Sequence, residues 1–245
     1  MRARRKKHGA QRLDACREKG IVIGSKNELP VGFLPAEIEI GCGKGDFIIE
    51  MAKRHPERNY IALEKKDDIA LEAAERLDRE GLKNVRVMVA DAGELETLFA
   101  PGDLINLYTN FPDPWAKTRY IKRRLTNRSF LEIYKRLLPV GGCVFFKTDN
   151  RILFDYSLSE FRACGYRLEN VTNDLHASDF AAENIVTEYE TLFSQKGFKI
   201  NRLEAYIDEK TLETYPPMKW TYTEDEAADK PPEDEADGNN KDIEG

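Results

Sequence analysis

The segment Glu37-Ile-Glu-Ile-Gly-Cys-Gly-Lys-Gly45 decides the fold. Its first four residues alternate as a strand does, and the strand runs straight into Gly41, Gly43 and Gly45. Beyond the glycines, Phe47, Ile48, Met51 and Ala52 fall on one helical face until His55-Pro56 ends the helix. A strand that feeds a helix through a glycine turn is half of a parallel β-α-β unit. The pattern then repeats. Strand-like runs occupy residues 59–63, 85–90, 104–108 and 143–146, and apolar helical faces separate them around residues 69–77, 130–138 and 153–161. Residues 167–175 read as a further strand, 187–197 as a short helix and 198–206 as a last strand. Strictly alternating strands and helices predict an α/β, doubly wound, mostly parallel sheet in a single domain over residues 36–222.

The flanks differ in composition. Residues 1–35 show no clear periodicity and read as a basic, irregular arm, with six Lys/Arg in the first twelve positions. Residues 223–245 hold ten Asp/Glu against two Lys, a charge of −8, and read as a disordered acidic tail. The chain as a whole carries −6, so residues 1–222 carry +2, from 36 basic and 34 acidic residues. The overall acidity therefore does not exclude a nucleic-acid partner. No apolar run reaches membrane-spanning length and the N-terminus has no apolar signal core, which predicts a cytoplasmic protein. Cys16, Cys42, Cys143 and Cys164 are scattered, without His partners at metal-ligand spacing, so reduced thiols and no metal are expected.

Polar residues stand where such a sheet binds ligands, at the carboxyl ends of its strands. The loop Gly41-Cys-Gly-Lys-Gly45 is neither a dinucleotide fingerprint nor a Walker loop. Glu64 ends the second strand about twenty residues on, placed to accept both hydroxyls of a ribose. Asp91 ends the third, where it faces an adenine or caps the next helix. An adenosine-containing ligand follows, either a dinucleotide or S-adenosylmethionine. Glu39, just before the glycines, repels a pyrophosphate and suits an ammonium or sulfonium group, which favours the second.

The fourth strand delivers Asn110-Phe-Pro-Asp-Pro-Trp-Ala-Lys-Thr-Arg-Tyr-Ile-Lys-Arg-Arg124. Pro112 and Pro114 restrict the residues before them to extended conformations, aiming Asp113. Lys117, Arg119, Lys122, Arg123 and Arg124 form a phosphate-seeking run. Trp115 has two readings, stacking on a base or packing beneath the loop. Thr187-Glu-Tyr-Glu190 reads as a capping box, with Thr187 as N-cap and Glu190 three residues on. His8, His55 and His176 receive no role.

Together with Lys147-Thr-Asp149, these motifs resemble the bacterial tRNA (guanine-N7)-methyltransferase family over residues 38–206. The resemblance implies a Rossmann-like class I methyltransferase fold with seven strands, the last antiparallel. It implies methyl transfer from S-adenosylmethionine to N7 of guanine-46 in the tRNA variable loop, by a monomer or a homodimer. By the same resemblance, Glu39, Gly41, Gly43, Glu64, Asp91 and Asp113 hold the cofactor, and Asp113 is catalytic. Lys117, Asp149, Thr187, Glu188, Tyr189 and Glu190 touch the substrate, and Arg119, Lys122, Arg123 and Arg124 its backbone. Guanine N7 carries a lone pair and no hydrogen, so Asp113 is expected to orient the base and stabilise its developing charge rather than act as a general base. An amino-group methyltransferase fits less well, because its Pro-rich motif lacks the inserted carboxylate. A non-catalytic RNA-binding subunit would not need Glu39, Glu64 and Asp91 together.

Overall fold

In the computed structural model, residues 6–209 and Thr211 are described. Residues 1–5 and the acidic stretch 223–245 lie outside the described residues. In chain order the elements are α1 (Gly9–Glu18), β1 (Val22–Ile23), β2 (Ala36–Ile40), α2 (Asp46–Arg54), β3 (Tyr60–Glu64), α3 (Asp67–Glu80) and β4 (Val85–Val89). There follow α4 (Leu95–Leu98), β5 (Leu104–Asn110), α5 (Arg128–Leu137), β6 (Cys143–Thr148), α6 (Arg151–Ala163), β7 (Arg167–Thr172), α7 (Glu188–Gln195) and β8 (Asn201–Tyr206).

The strands form one sheet in the order β1-β4-β3-β2-β5-β6-β8-β7. All neighbours are parallel except β8, which runs antiparallel to both β6 and β7. From β2 the chain winds outward through β3 and β4, then crosses back to β5 on the other side. The carboxyl ends of β2 and β5 therefore flank the switch point, where a doubly wound sheet opens a crevice. Among the described residues the sheet has eight strands, one more than the seven expected. The added strand is Val22–Ile23, paired with Val87 and Met88, and two residues are too few to show a period.

The arm before β2 is also more ordered than its sequence suggests. Helix α1 packs on α3 through buried Leu13 and Cys16. Its cations meet acidic residues of α3, Arg12 with Glu75 and Lys19 with Asp78, and Lys6 meets Glu72. These pairs divert basic charge from any nucleic-acid role.

Strand β2 is buried at every position, yet its alternation still sorts its side chains. Ile38 and Ile40 join the apolar layer under α5 and α6. Glu37 points to the opposite face, accepting from the Tyr108 hydroxyl at 2.5 Å and from Arg58 at 3.1 Å. Glu39 shares that face at the end nearest the crevice. Among the described residues no helix is long and apolar enough to cross a membrane, and no cluster of His, Cys, Asp or Glu suits a metal ion.

Candidate active site

Two joined cavities lie beyond the carboxyl ends of β2, β3, β4 and β5. The larger, about 550 Å³, is lined by Glu64, Asp91, Asp113, Trp115, Lys122 and Arg123. The smaller, about 330 Å³, holds Glu39, Gly43, Thr187, Glu188 and Tyr189. Gly41, Asn110 and Phe111 border both.

The glycine loop shapes the floor. Gly43 has φ 58, in the left-handed region, and its N–H donates to Glu64 Oε2 at 3.3 Å. Gly45 has φ 82, and a Cβ there would come within 3.2 Å of the Ala73 and Ile49 side chains. Glu64 is fixed a second time by the Lys66 N–H, 3.0 Å from Oε1. A carboxylate oxygen accepts more than one hydrogen bond, so both remain competent toward a diol. Asp91 does cap the following turn, accepting from Gly93 N–H at 2.9 Å, and it lines the larger cavity as well.

Glu39 is the most perturbed carboxyl of the site. It is 3% exposed, and burial pushes its pKa up to about 8. Asn110 donates to Oε1 at 2.8 Å, while Oε2 is buried with no partner among the described residues. An orphaned buried oxygen at a cavity wall fits an incoming cationic donor.

The Pro-Asp-Pro turn is held differently from expectation. Phe111, before Pro112, is not extended but has φ 52, and Trp115 has φ 44. Left-handed non-glycine residues are uncommon and need packing to hold them. Phe111 keeps a ladder bond to the Lys147 carbonyl at 2.8 Å, and its ring lies 4.9 Å from Tyr189. Those contacts override the local preference. Asp113 projects between these two residues and is exposed.

Arg124 corrects the reading of the basic run. It is 1% exposed and donates from Nε to the Pro114 carbonyl at 2.8 Å, with its guanidinium 4.4 Å from the Tyr156 ring centroid. It clamps the turn and is not presented to a phosphate. Lys117, Arg119, Lys122 and Arg123 are exposed. Arg123 lies over both Trp115 and Tyr120, at 5.1 and 4.7 Å. Trp115 is half-buried in that cluster and forms cavity wall. Its ring packs edge-on against Tyr120, with centroids 5.7 Å apart.

Helix α7 supplies the remaining residues. Thr187 caps it, accepting from Glu190 N–H at 3.1 Å. Glu190 does not complete a capping box or reach a substrate. It is fully buried and accepts from Lys147 Nζ at 2.6 Å. Glu188 is exposed and pairs with Lys44 at 2.8 Å. Burial shifts the half-buried Asp149 carboxyl upward, and burial and the nearby Asp149 raise the Tyr189 hydroxyl. Asp113 lines the larger cavity and Tyr189 the smaller, and the charges of Asp113 and Asp149 both reach Tyr189. Asn110 borders both cavities, and Lys147 and Asn184 lie behind the site, where Lys147 donates to Asn184 Oδ1 at 3.0 Å; the sequence motifs give none of the three a role. Their signal is positional: Asn110 and Lys147 end adjacent strands and pair in register.

A family model described as "Putative methyltransferase" matches residues 34–203. The chain is 46% identical to a tRNA (guanine-N(7)-)-methyltransferase of Brevibacillus brevis over 70% of this chain and 80% of that protein. It is 50% identical to the enzyme of that name from Listeria monocytogenes, over 71% and 81%. A Streptococcus mutans protein of the same name is 49% identical over 70% and 81%. Among solved structures, the 16S rRNA methyltransferase KamB superimposes with TM-score 0.58 at 13% identity, covering 76% of this chain and 95% of that one. The antibiotic-resistance methyltransferase Kmr gives 0.51 at 18% identity, covering 84% and 96%. Both are similar in fold.

Proposed function

Because the chain belongs to the tRNA (guanine-N(7)-)-methyltransferase family, we propose that it transfers the methyl group of S-adenosylmethionine to N7 of a guanine in tRNA, guanine-46 of the variable loop. The observation that carries this reading is Asp113, standing at the junction of a carboxylate-lined cleft and a set of exposed cations. The cytoplasm is where such a substrate is met.

When bound, the cofactor would supply an electrophilic methyl group on a sulfonium, whose carbon–sulfur bond breaks as the methyl group is transferred, releasing S-adenosylhomocysteine. Glu64 receives the ribose hydroxyls, Asp91 borders the adenine end, and the free oxygen of Glu39 accepts the ammonium. N7 attacks through its ring lone pair, so no proton has to leave beforehand. The product ring is cationic. Asp113 and Asp149 put negative charge beside that ring, and Asp113 accepts from the base's N1–H and amino group. Tyr189, braced between Phe111 and Phe193 at 4.9 and 4.2 Å, limits the width of the mouth. Lys117, Arg119 and Lys122 hold the phosphate backbone around it.

The test is incubation with methyl-labelled S-adenosylmethionine and an unmodified tRNA transcript, followed by mapping of the label. Strand cleavage by aniline after reduction at one variable-loop guanine is the expected result. Label at an exocyclic amine or a ribose would refute the reading.

A further inference from the structure

Beneath the first turn of α7 lies a hydrogen-bond network made of residues that the transfer chemistry does not touch. The buried Glu190 carboxylate accepts from three segments: Lys147 Nζ at 2.6 Å, Asn184 Nδ2 at 2.5 Å and His176 Nε2 at 2.7 Å. A carboxylate only accepts, so the His176 ring carries its proton on Nε2. Lys147 closes the network by donating to Asn184 Oδ1 at 3.0 Å and to the Ile185 carbonyl at 2.7 Å. Lys147 and Glu190 have 6% and 0% of their side chains exposed, so withdrawing any member strands a buried polar group.

The placement of this network is what gives it a role. Lys147 lies two residues before Asp149, and Glu190 directly follows Tyr189. Tyr189 and Asp149 are close enough that, beside the desolvation of burial, the carboxylate pushes the tyrosine hydroxyl's pKa upward. Helix α7 has eight residues, too few to hold a position by its own backbone bonds, so tertiary contacts must place it. On its outer face Tyr189 and Leu192 are exposed, and the contacts there are the Tyr189–Phe111 ring pair and the Lys44–Glu188 ion pair. The inward carboxylate of Glu190 is its buried polar anchor. His176, with 39% of its side chain exposed, is the member of the anchor that reaches solvent.

We propose that His176 is a positioning residue for the methyl transfer. Through Glu190 and Lys147 it holds the first turn of α7, and hence Thr187 and Tyr189, in register with Asp149. The role in transfer rests on the tRNA reading above. The cofactor carboxylates Glu64 and Asp91 lie at the ends of other strands and have no bond to the network. The charge of Lys147 bears on Glu39 as well, and replacing His176 leaves that charge in place, so the loss of His176 acts on substrate placement.

The experiment compares the wild type with His176→Ala and His176→Gln, since the glutamine amide can donate where Nε2 does. Amide hydrogen exchange over residues 188–192, the KM and kcat for tRNA, and the cofactor Kd by calorimetry are read together. His176→Ala is expected to speed exchange in that segment by about tenfold. It is expected to raise the tRNA KM by about fivefold with the cofactor Kd unchanged, and His176→Gln to restore both. Unchanged exchange over 188–192 overturns the proposal, and so does an alanine variant no different from the glutamine one. A wild-type protein that methylates no tRNA would instead refute the functional reading, and the exchange measurement would still decide the anchor.

Discussion

Asn110 Nδ2 lies 2.8 Å from Glu39 Oε1, and the other oxygen of that carboxyl has no partner among the described residues. One amide donor is too little to keep a charge in so dry a place. Three further groups bear on it: Lys147 and the Ile48 N–H favour the ionised form, and Asp46 opposes it. Burial outweighs them, and the carboxyl sits at about 8 against an ordinary 4.5.

The pH dependence follows from that shift. Below pH 4.5 the folded and unfolded chains both hold the Glu39 proton. Between 4.5 and 8 the unfolded chain has released it and the folded chain has not, so this residue's contribution makes the free protein less stable as pH rises through that window. A bound ammonium reverses the preference by pairing with the ionised form. Cofactor affinity should therefore climb with pH toward 8, by up to ~10-fold per unit. Calorimetry in buffers of different ionisation enthalpy should record a proton released on binding at pH 7. Glu39→Gln should bind more weakly and release none. Proton release by that variant would assign the titration to another group.

The basic run separates into three functions, which mutation should resolve. Arg123 lines the larger cavity and lies over Trp115 and Tyr120, while Arg119 does not line it. Arg119→Ala should reduce the slope of log K for tRNA against log salt by about 1 and leave cofactor binding unchanged. Arg123→Ala should weaken cofactor binding in the absence of tRNA. If Arg123→Ala alters only the salt slope, its place in the cavity wall has no energetic weight.

Arg124 behaves as part of the core. Its hydrogen bond to the Pro114 carbonyl and its place over Tyr156 make truncation a loss of both packing and carbonyl satisfaction. Arg124→Ala should destabilise the fold by roughly 1–3 kcal/mol. Chemical denaturation measures that loss directly, and the salt slope for tRNA should not move. A flattened slope with full stability would return Arg124 to the phosphate-binding set.

The elements legible in the sequence were those with a period. The β-α alternation from β2 to β6 and the carboxylates at strand ends depend on local patterns, and they stand where those patterns put them. Val22–Ile23 has too few residues for a period, and α1 mixes its buried Leu13 and Cys16 with charges. Arg124 and Glu190 were misassigned for a related reason. A motif states which residues occur together but not which way each side chain turns. Arg124 shares its charge with neighbours that face solvent, and Glu190 shares its motif with a cap. Only packing distinguishes them: Tyr156 draws the one inward and Lys147 the other. His176 had no sequence signal, since its partner is fourteen residues away.

Asp113 decides whether the chemistry is charge stabilisation or proton abstraction. It is exposed, flanked by Pro112 and Pro114, and its charge is felt at Tyr189, as is that of Asp149. Asp113→Ala should lower kcat by about 10²–10³-fold with a smaller effect on the tRNA KM, because the lost interaction strengthens as the ring becomes cationic. Asp113→Asn keeps an acceptor for the base and loses the charge, so it should fall between the wild type and the alanine variant. A general base would behave otherwise, since the amide could not take a proton and the two variants would be equally impaired. The pH-rate profile separates the cases independently. With no base required, the rate limb assigned to Asp113 should be missing near neutrality, and any limb near pH 8 should persist in Asp113→Asn as the Glu39 ionisation. A limb near pH 7 that disappears only when Asp113 is replaced would establish proton abstraction in its place.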